Sequence, residues 1–299
     1  MTAEIISITS EQSETPLASR PSVFRQLVRR PSSLFSMMVI LFLLILFAAG
    51  PLIAPYGAAE QDIKHRLEGP SREHLLGTDH LGRDILSRLI VGTRVALGVA
   101  IPSVLASLTV GLILGLIAGY VGGWVDNIIL VLMDTMQAFP ALLLALALIS
   151  LLDPSIRNVI LVIAIAYTPG YARIVRAQVL SVKEGQFIEV ERSFGASHLR
   201  IAFVHIVPNI LAPLFIMLAM DLPSAIATEA GLSFLGLGVR PPTPSWGVIL
   251  SDGFQKIRTT PWPVLGGSLA LMITTLSFTL FGEALRDILD PRLSGSRRA

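Results

Sequence analysis

Three carboxylates stand where charge is disfavoured. Asp134, Asp221 and Glu229 lie within or beside long apolar runs. An ionised side chain facing lipid is held there only at a cost, so such residues usually face a water-filled cavity or a partner group. The chemistry this permits is the lining of a path for a polar solute. For Asp134 and Glu229 a plainer reading is preferred: Asp134 snorkels toward a helix end, and Glu229 sits near the outer surface. For Asp221 the two readings stand level.

Other chemistry is excluded by absence. No Gly-Lys pair occurs, so there is no Walker A phosphate loop and the chain is not an ATPase of that class. There is no His-Glu-x-x-His and no Gly-x-Ser-x-Gly, which removes the common zinc-hydrolase and nucleophile-elbow arrangements. With 0 cysteines, disulfides and thiolate metal sites are ruled out. His74 and His80 flank one short loop and could share a metal, but no known ligand spacing is met. Solvated loop histidines are the preferred reading. No catalytic residues, bound cofactor or metal site are expected on this chain.

The second group with work to do is a polar insert at 178–208. Phe187, Val190, Phe194, Leu199 and Phe203 recur at helix-like spacing around Gly195. This predicts two short amphipathic helices broken at Gly195, where glycine allows a positive-φ turn. An apolar edge on such a hairpin can lie in a partner's groove. An ordinary connecting loop is the alternative, although one of about 30 residues is unusual without a function.

These residues must be held by membrane-spanning helices. Of 299 residues, 53% are hydrophobic and only 15% charged, and mean hydropathy is +0.70. An ordinary soluble domain carries about 25% charged residues. The net charge of +2 is spread between apolar runs rather than clustered, which excludes a nucleic-acid partner and leaves lipid as the surrounding medium. A span needs about 20 apolar residues. Six spans are predicted at 34–54, 95–119, 128–152, 155–173, 209–235 and 264–285, with Pro169-Gly170 interrupting the end of the fourth. The fold class is therefore all-α and polytopic.

Six spans place both termini on one side. Arg20, Arg25, Arg29 and Arg30 precede the first, and Arg286, Arg292, Arg297 and Arg298 follow the last. The positive-inside rule makes that side cytoplasmic, together with the insert. The loop at 60–94 falls outside although it carries six basic residues, balanced by six acidic ones. The organisation is a cytoplasmic tail (1–33), a first span with its outer loop (34–94), a helical transmembrane domain (95–290) that carries the insert at 178–208, and a cytoplasmic tail (291–299). The small-residue series Gly111, Gly115 and Gly119 offers a close helix contact. That contact is either within the subunit, the preferred reading, or between two copies of such a chain. Pro241, Pro242 and Pro244 forbid a continuous helix after the fifth span, and a short surface helix is predicted at 251–257.

The insert resembles the cytoplasmic loop of ATP-binding-cassette importer permeases. Glu189-Val190-Glu191 takes the place of that loop's Glu-Ala-Ala, Gly195 that of its glycine, and Val207-Pro208 that of its closing Leu-Pro. Glu191 departs from the small residue of the pattern, and His205 stands where many members have isoleucine. That histidine is frequent in the dipeptide, oligopeptide and nickel branch. Segments 74–84, 118–126, 232–247 and 285–293 are similar to that branch's signatures, in the right order. The long loop at 60–94 is similar to the second of its two permease types.

The resemblance implies a type I importer permease fold in a bacterial inner membrane. It implies a second, homologous permease, two ATPase subunits (two copies or two related proteins) and an outer solute-binding protein. It implies that Glu184, Phe187, Glu189, Glu191, Gly195, Ala196 and Pro208 belong to the contact with the ATPase. The implied cargo is a peptide, with nickel, glutathione-like compounds and other solutes as alternatives. An ion-driven secondary transporter, an intramembrane enzyme and a structural anchor are the rival classes. A secondary transporter would give the insert no purpose, the enzyme lacks a paired catalytic set, and an anchor would not need such dispersed motifs.

Overall fold

The computed structural model describes residues 23–289, which are almost entirely helical. Of the two arginine clusters, Arg20, Arg292, Arg297 and Arg298 lie outside the described residues, as does the end of the 285–293 motif. A short helix α1 (Val23–Val28) leads into α2 (Pro31–Ile53). A loop with one 3-10 turn (Ile63–His65) follows, then α3 (Ile85–Val121), α4 (Gly123–Gln137), α5 (Ala141–Ile149) and α6 (Ile156–Lys183). The hairpin helix α7 (Gln186–Ser193) precedes α8 (His198–Arg200), which continues through a π segment (Ile201–Ile206) into α9 (Val207–Phe234). Helices α10 (Trp246–Phe254) and α11 (Trp262–Leu289) complete the chain.

Among the described residues, five helices are long and apolar enough to cross a membrane: α2, α3, α6, the continuous α8–α9 unit and α11. The predicted third span corrects to a broken one, because α4 and α5 meet at 88°. Pro140 explains the break. It lacks an N–H, and its ring disfavours helical geometry at Phe139 before it. The bent pair makes a sixth span if it crosses as one.

The predicted break at Pro169-Gly170 does not occur. Helix α6 runs through Pro169 to Lys183. On the turn before the proline, Thr168 Oγ1 and Ser107 Oγ of α3 both donate to Ala164 O, at 2.8 and 3.0 Å. Proline persists in a membrane helix where neighbouring helices pack against it. The π segment before Pro208 has a related cause, because a wider turn accommodates a residue that cannot donate to the preceding turn.

Helix α3 lies along α6, and the glycine series decides how closely. A Cβ on Gly115 would stand 2.5 Å from Ala172 O, and one on Gly119 would stand 2.9 Å from Val179 Cβ. Gly111 faces Tyr171 in the same way. The close contact is therefore within the subunit, with Val99, Val162, Ile163 and Val175 buried along the same seam. Gly115→Ala should destabilise the chain by about 1–3 kcal/mol, the usual penalty for overpacking. Thermal unfolding of the detergent-solubilised protein would measure it, and an unchanged midpoint would contradict the packing argument. Helix α9 packs on α3, α6 and α11, while α2 covers α3 and α11. Leu41, Phe42, Ile45 and Leu52 leave α2 with an exposed apolar surface suited to lipid.

The predicted surface helix at 251–257 also corrects. It begins at Trp246, ends at Phe254 and is packed inward through Trp246, Gly247, Ile249 and Gly253. Segment 235–245 is irregular, as its prolines require.

Candidate functional site

The bundle carries three distinctive regions: a locked loop at one end, a polar face along its length and a hairpin at the other end. The loop before α3 is held by buried ion pairs. Asp79 accepts from Arg83 Nε at 2.6 Å, and Arg83 also reaches Asp252 of α10 at 3.0 Å. Arg88, only 2% exposed, approaches the same two carboxylates at 3.6 and 3.9 Å. His74 Nδ1 pairs with Asp84 at 3.0 Å, and Asp84 caps α3 through the Ser87 N–H. The expectation of a solvated His74 is thus overturned, since it is 9% exposed. Asp79, His80 and Asp252 bring ligand atoms within 4.8 Å of one another, but Arg83 already holds both carboxylates. Trp246 Nε1 donates to Leu89 O at 3.0 Å and ties α10 to α3.

Helices α4 and α9 both pack on α6 and leave it between them. Gly170 of α6 floors this gap. A Cβ there would lie 3.2 Å from Met217 Cε of α9 and 3.9 Å from Gln137 Nε2 of α4. Asp134 pairs with Arg173 at 2.5 Å, with side chains 58% and 52% exposed. Gln137 and Ser224 are also exposed. Asp221 lies halfway along α9. Its Oδ2 is enclosed without a hydrogen-bond partner. Tyr171, which is 0% exposed, stands beside that carboxylate within the core. One turn further, Tyr167 Oη lies 3.2 Å from Thr228 Oγ1. A charged, open face of this kind is poorly suited to lipid and fits water or another polypeptide.

Glu229 is turned away from that face. It is 0% exposed, and its Oε1 accepts from Ser233 and Ser245 at 2.7 and 2.9 Å. Ser245 caps α10 by accepting the Gly247 N–H, so Glu229 braces the corner between α9 and α10. Asp134 is thus exposed beside α6, Asp221 is half-buried against Tyr171, and Glu229 is fully buried.

The hairpin is assembled from adjacent turns. Glu184 ends α6, and Gly185 starts α7. Gly195 has φ +80°, and its N–H closes the turn on Arg192 O at 2.9 Å. Ala196 N donates to Glu191 O at 3.0 Å, and its half-buried side chain packs on the core. Ser197 then caps the next helix. Ile188 is buried, whereas Phe187, Val190, Phe194 and Leu199 are exposed. Glu189 is exposed in the first turn of α7, where a negative charge complements the helix dipole. Pro208 sits in the first turn of α9. The two departures from the loop pattern prove to be one feature, because Glu191 Oε2 lies 3.5 Å from His205 Nε2.

Braces at the base keep the hairpin in register with the bundle. Lys183 Nζ donates to Tyr120 O at 2.7 Å, and Tyr120 Oη lies 2.8 Å from His198 Nδ1. Arg176 makes two bonds to Asp126, at 2.5 and 2.6 Å. The fork places positive charge on an acid in the first turn of α4. Sequence reasoning missed these braces and the roles of Tyr171, Arg173 and Trp246. Their partners lie tens of residues away, and spacing carries no signal at that range.

Residues 111–295 match the family described as binding-protein-dependent transport system inner membrane component. Residues 22–70 match the N-terminal transmembrane domain of oligopeptide transport permease C. The chain is 39% identical over 293 residues to a dipeptide transport system permease of Alkalihalophilus pseudofirmus, covering 98% of this chain and 96% of that one. It is 41% identical over 266 residues to a di/tripeptide permease of Pseudomonas aeruginosa, covering 86% and 88%. It is 40% identical over 271 residues to a glutathione permease of Pectobacterium atrosepticum, covering 90% of each.

Proposed function

The chain belongs to the family of binding-protein-dependent transport system inner membrane components, and from that premise we propose that it forms part of the path of a peptide importer driven by a separate ATPase. The observation that carries this is the exposed apolar edge of the hairpin, formed by Phe187, Val190, Phe194 and Leu199. Apolar side chains grouped on a projecting polar segment mark a protein contact. The edge is a docking surface for an ATPase subunit, and Glu184, Glu189, Glu191, Gly195, Ala196 and Pro208 shape or flank it. The hairpin end is cytoplasmic, as its arginines and lysine favour, and both termini lie on that side.

The face bordered by Asp134 and Asp221 lines the path together with a second, homologous permease. Two ATPases, identical or related, act below. An outer binding protein docks at the opposite end, on the platform formed by the locked loop and α10. The peptide cargo rests on the dipeptide and di/tripeptide permeases among its relatives. The glutathione permease makes a γ-linked peptide the nearest alternative cargo.

Reconstitution tests this reading. Vesicles holding the two permeases and their ATPases should accumulate dipeptide only with both ATP and loaded binding protein. Uptake by this chain driven by an ion gradient without ATP would overturn it.

A further inference from the structure

Glu191 and His205 are the two residues by which the hairpin departs from the loop pattern it resembles, and the fold sets them against each other. Glu191 stands three positions after Ile188 on α7, at the border between that buried residue and the exposed edge. His205 stands in the π segment (Ile201–Ile206), which packs on α7. Single π turns of this kind frequently mark functional positions. Asn209 Nδ2 donates to His205 O at 2.6 Å and fixes its backbone. Glu191 Oε2 lies 3.5 Å from His205 Nε2, and Nε2 is enclosed without a hydrogen-bond partner. Next to a neutral ring this approach is no bond. A proton on the ring turns it into an ion pair.

No other group is placed to take the role of Glu191. Among the described residues it is the one carboxylate at ion-pair distance from His205. Helix α6 ends on Lys183, held by the Tyr120 carbonyl, and on the exposed Glu184. Helix α7 adds Glu189 and Arg192, both exposed. Helix α8 adds the exposed Arg200 and His198, which pairs with Tyr120. Helix α9 carries no ionisable side chain before Asp221.

We propose that Glu191 and His205 are a positioning pair for coupling: a proton on His205 draws Glu191 in, holds α7 on the π segment and so presents the apolar edge to the ATPase. This rests on the importer reading above and adds to it a dependence on acidity at the hairpin end. With His205 neutral, the position of α7 is left to Ile188 and the turn at Gly195. The side chains of His205 and Glu191 are 21% and 34% exposed, so protons reach them, and the pair has the modest worth of a part-exposed one. The ring gains its charge as pH falls, so coupling is strongest at the acidic end and weakens as pH rises.

The test uses the whole importer in vesicles that enclose ATP, so that only complexes with the hairpin facing the enclosed buffer act. It reads peptide uptake per ATP hydrolysed in response to loaded binding protein. Between enclosed buffers of about pH 6 and about pH 8, which bracket the range where histidine changes charge, the wild-type ratio should fall roughly threefold. Glu191→Gln and His205→Gln should each give the lower ratio in both buffers. His205→Lys, charged throughout, should give the higher ratio in both. A wild-type ratio that ignores pH would overturn the pair. A slope that survives in Glu191→Gln would belong to another group, such as His198, and would overturn it too, as would a His205→Lys ratio that falls with rising pH. If His205→Lys does not assemble, the contrast between wild type and Glu191→Gln decides. Absence of ATP-driven uptake by the wild type in both buffers would instead remove the importer reading, and the role of the pair with it.

Discussion

Replacing Gly195 with valine should cut peptide uptake per ATP hydrolysed roughly tenfold, while the chain still inserts and assembles. The residue has φ +80°, a region that costs an L-residue about 1–2 kcal/mol and a β-branched one more. A free-energy difference near 1.4 kcal/mol is a factor of ten in any equilibrium the turn controls. Crowding is not the cause, since a Cβ at this position meets nothing within 4 Å. The strain is relieved only by rotating the turn between α7 and α8, which swings Phe194 and Leu199 away from the edge they share with Val190. ATP hydrolysis would then proceed without moving the spans. Asparagine tolerates the left-handed region, so Gly195→Asn should keep most of the uptake. The comparison separates backbone geometry from loss of glycine as such. Wild-type coupling in Gly195→Val, measured in the same vesicles, would remove the hairpin from the coupling route.

The largest loss of stability is expected from Asp79→Ala. Asp79 accepts from Arg83 Nε and from the N–H groups of Leu81 and Arg83, and it faces Arg88, which is 2% exposed. Removing the acid leaves the buried Arg88 with the Ala58 carbonyl at 3.4 Å and, as its one nearby carboxylate, the distant Asp252 at 3.9 Å. Breaking a buried pair from one side costs about 3–5 kcal/mol. Thermal unfolding in detergent should therefore show a large fall in midpoint. The joint change Asp79→Leu with Arg88→Met should recover part of it, because both desolvated charges are gone and apolar volume replaces them. A single-variant midpoint equal to wild type would show that solvent or the membrane surface already screens this cluster. The outer platform depends on the same ions, so binding-protein docking should weaken together with stability.

Much of the plan was legible before any coordinates. Apolar run length places every span but one, because lipid allows only backbone that satisfies its own hydrogen bonds. The first arm of the hairpin and its turn were legible too, since the spacing of Phe187, Val190 and Phe194 is helical and glycine suits a positive-φ turn; the expected second short helix is instead the start of the continuous α8–α9 unit. Helix ends were less so. Charge-free runs mark where lipid contact stops, whereas α3 starts at Ile85 and α6 continues to Lys183. Those extensions carry residues that pair beyond their own helix, as Arg88 does with Asp79 of the preceding loop and Arg176 with Asp126 of α4. The kink at Pro140 and the unbroken passage through Pro169 show the same limit. Both are prolines in apolar runs, and only the packing that neighbouring helices supply decides which one breaks its helix.

The chain's amino acids determine by themselves that it lives in a bilayer, how many times it can cross, and which short segment projects from it. Those properties depend on composition and on neighbours within a few turns. Tertiary structure alone decided that the glycines of α3 serve α6, that Glu191 answers His205, that Glu229 braces a corner, and that Asp221 lies beside the buried Tyr171. Each of these is a relation between residues far apart in the chain, and a charge or a glycine acquires its role only from what the fold brings to within a few ångströms of it.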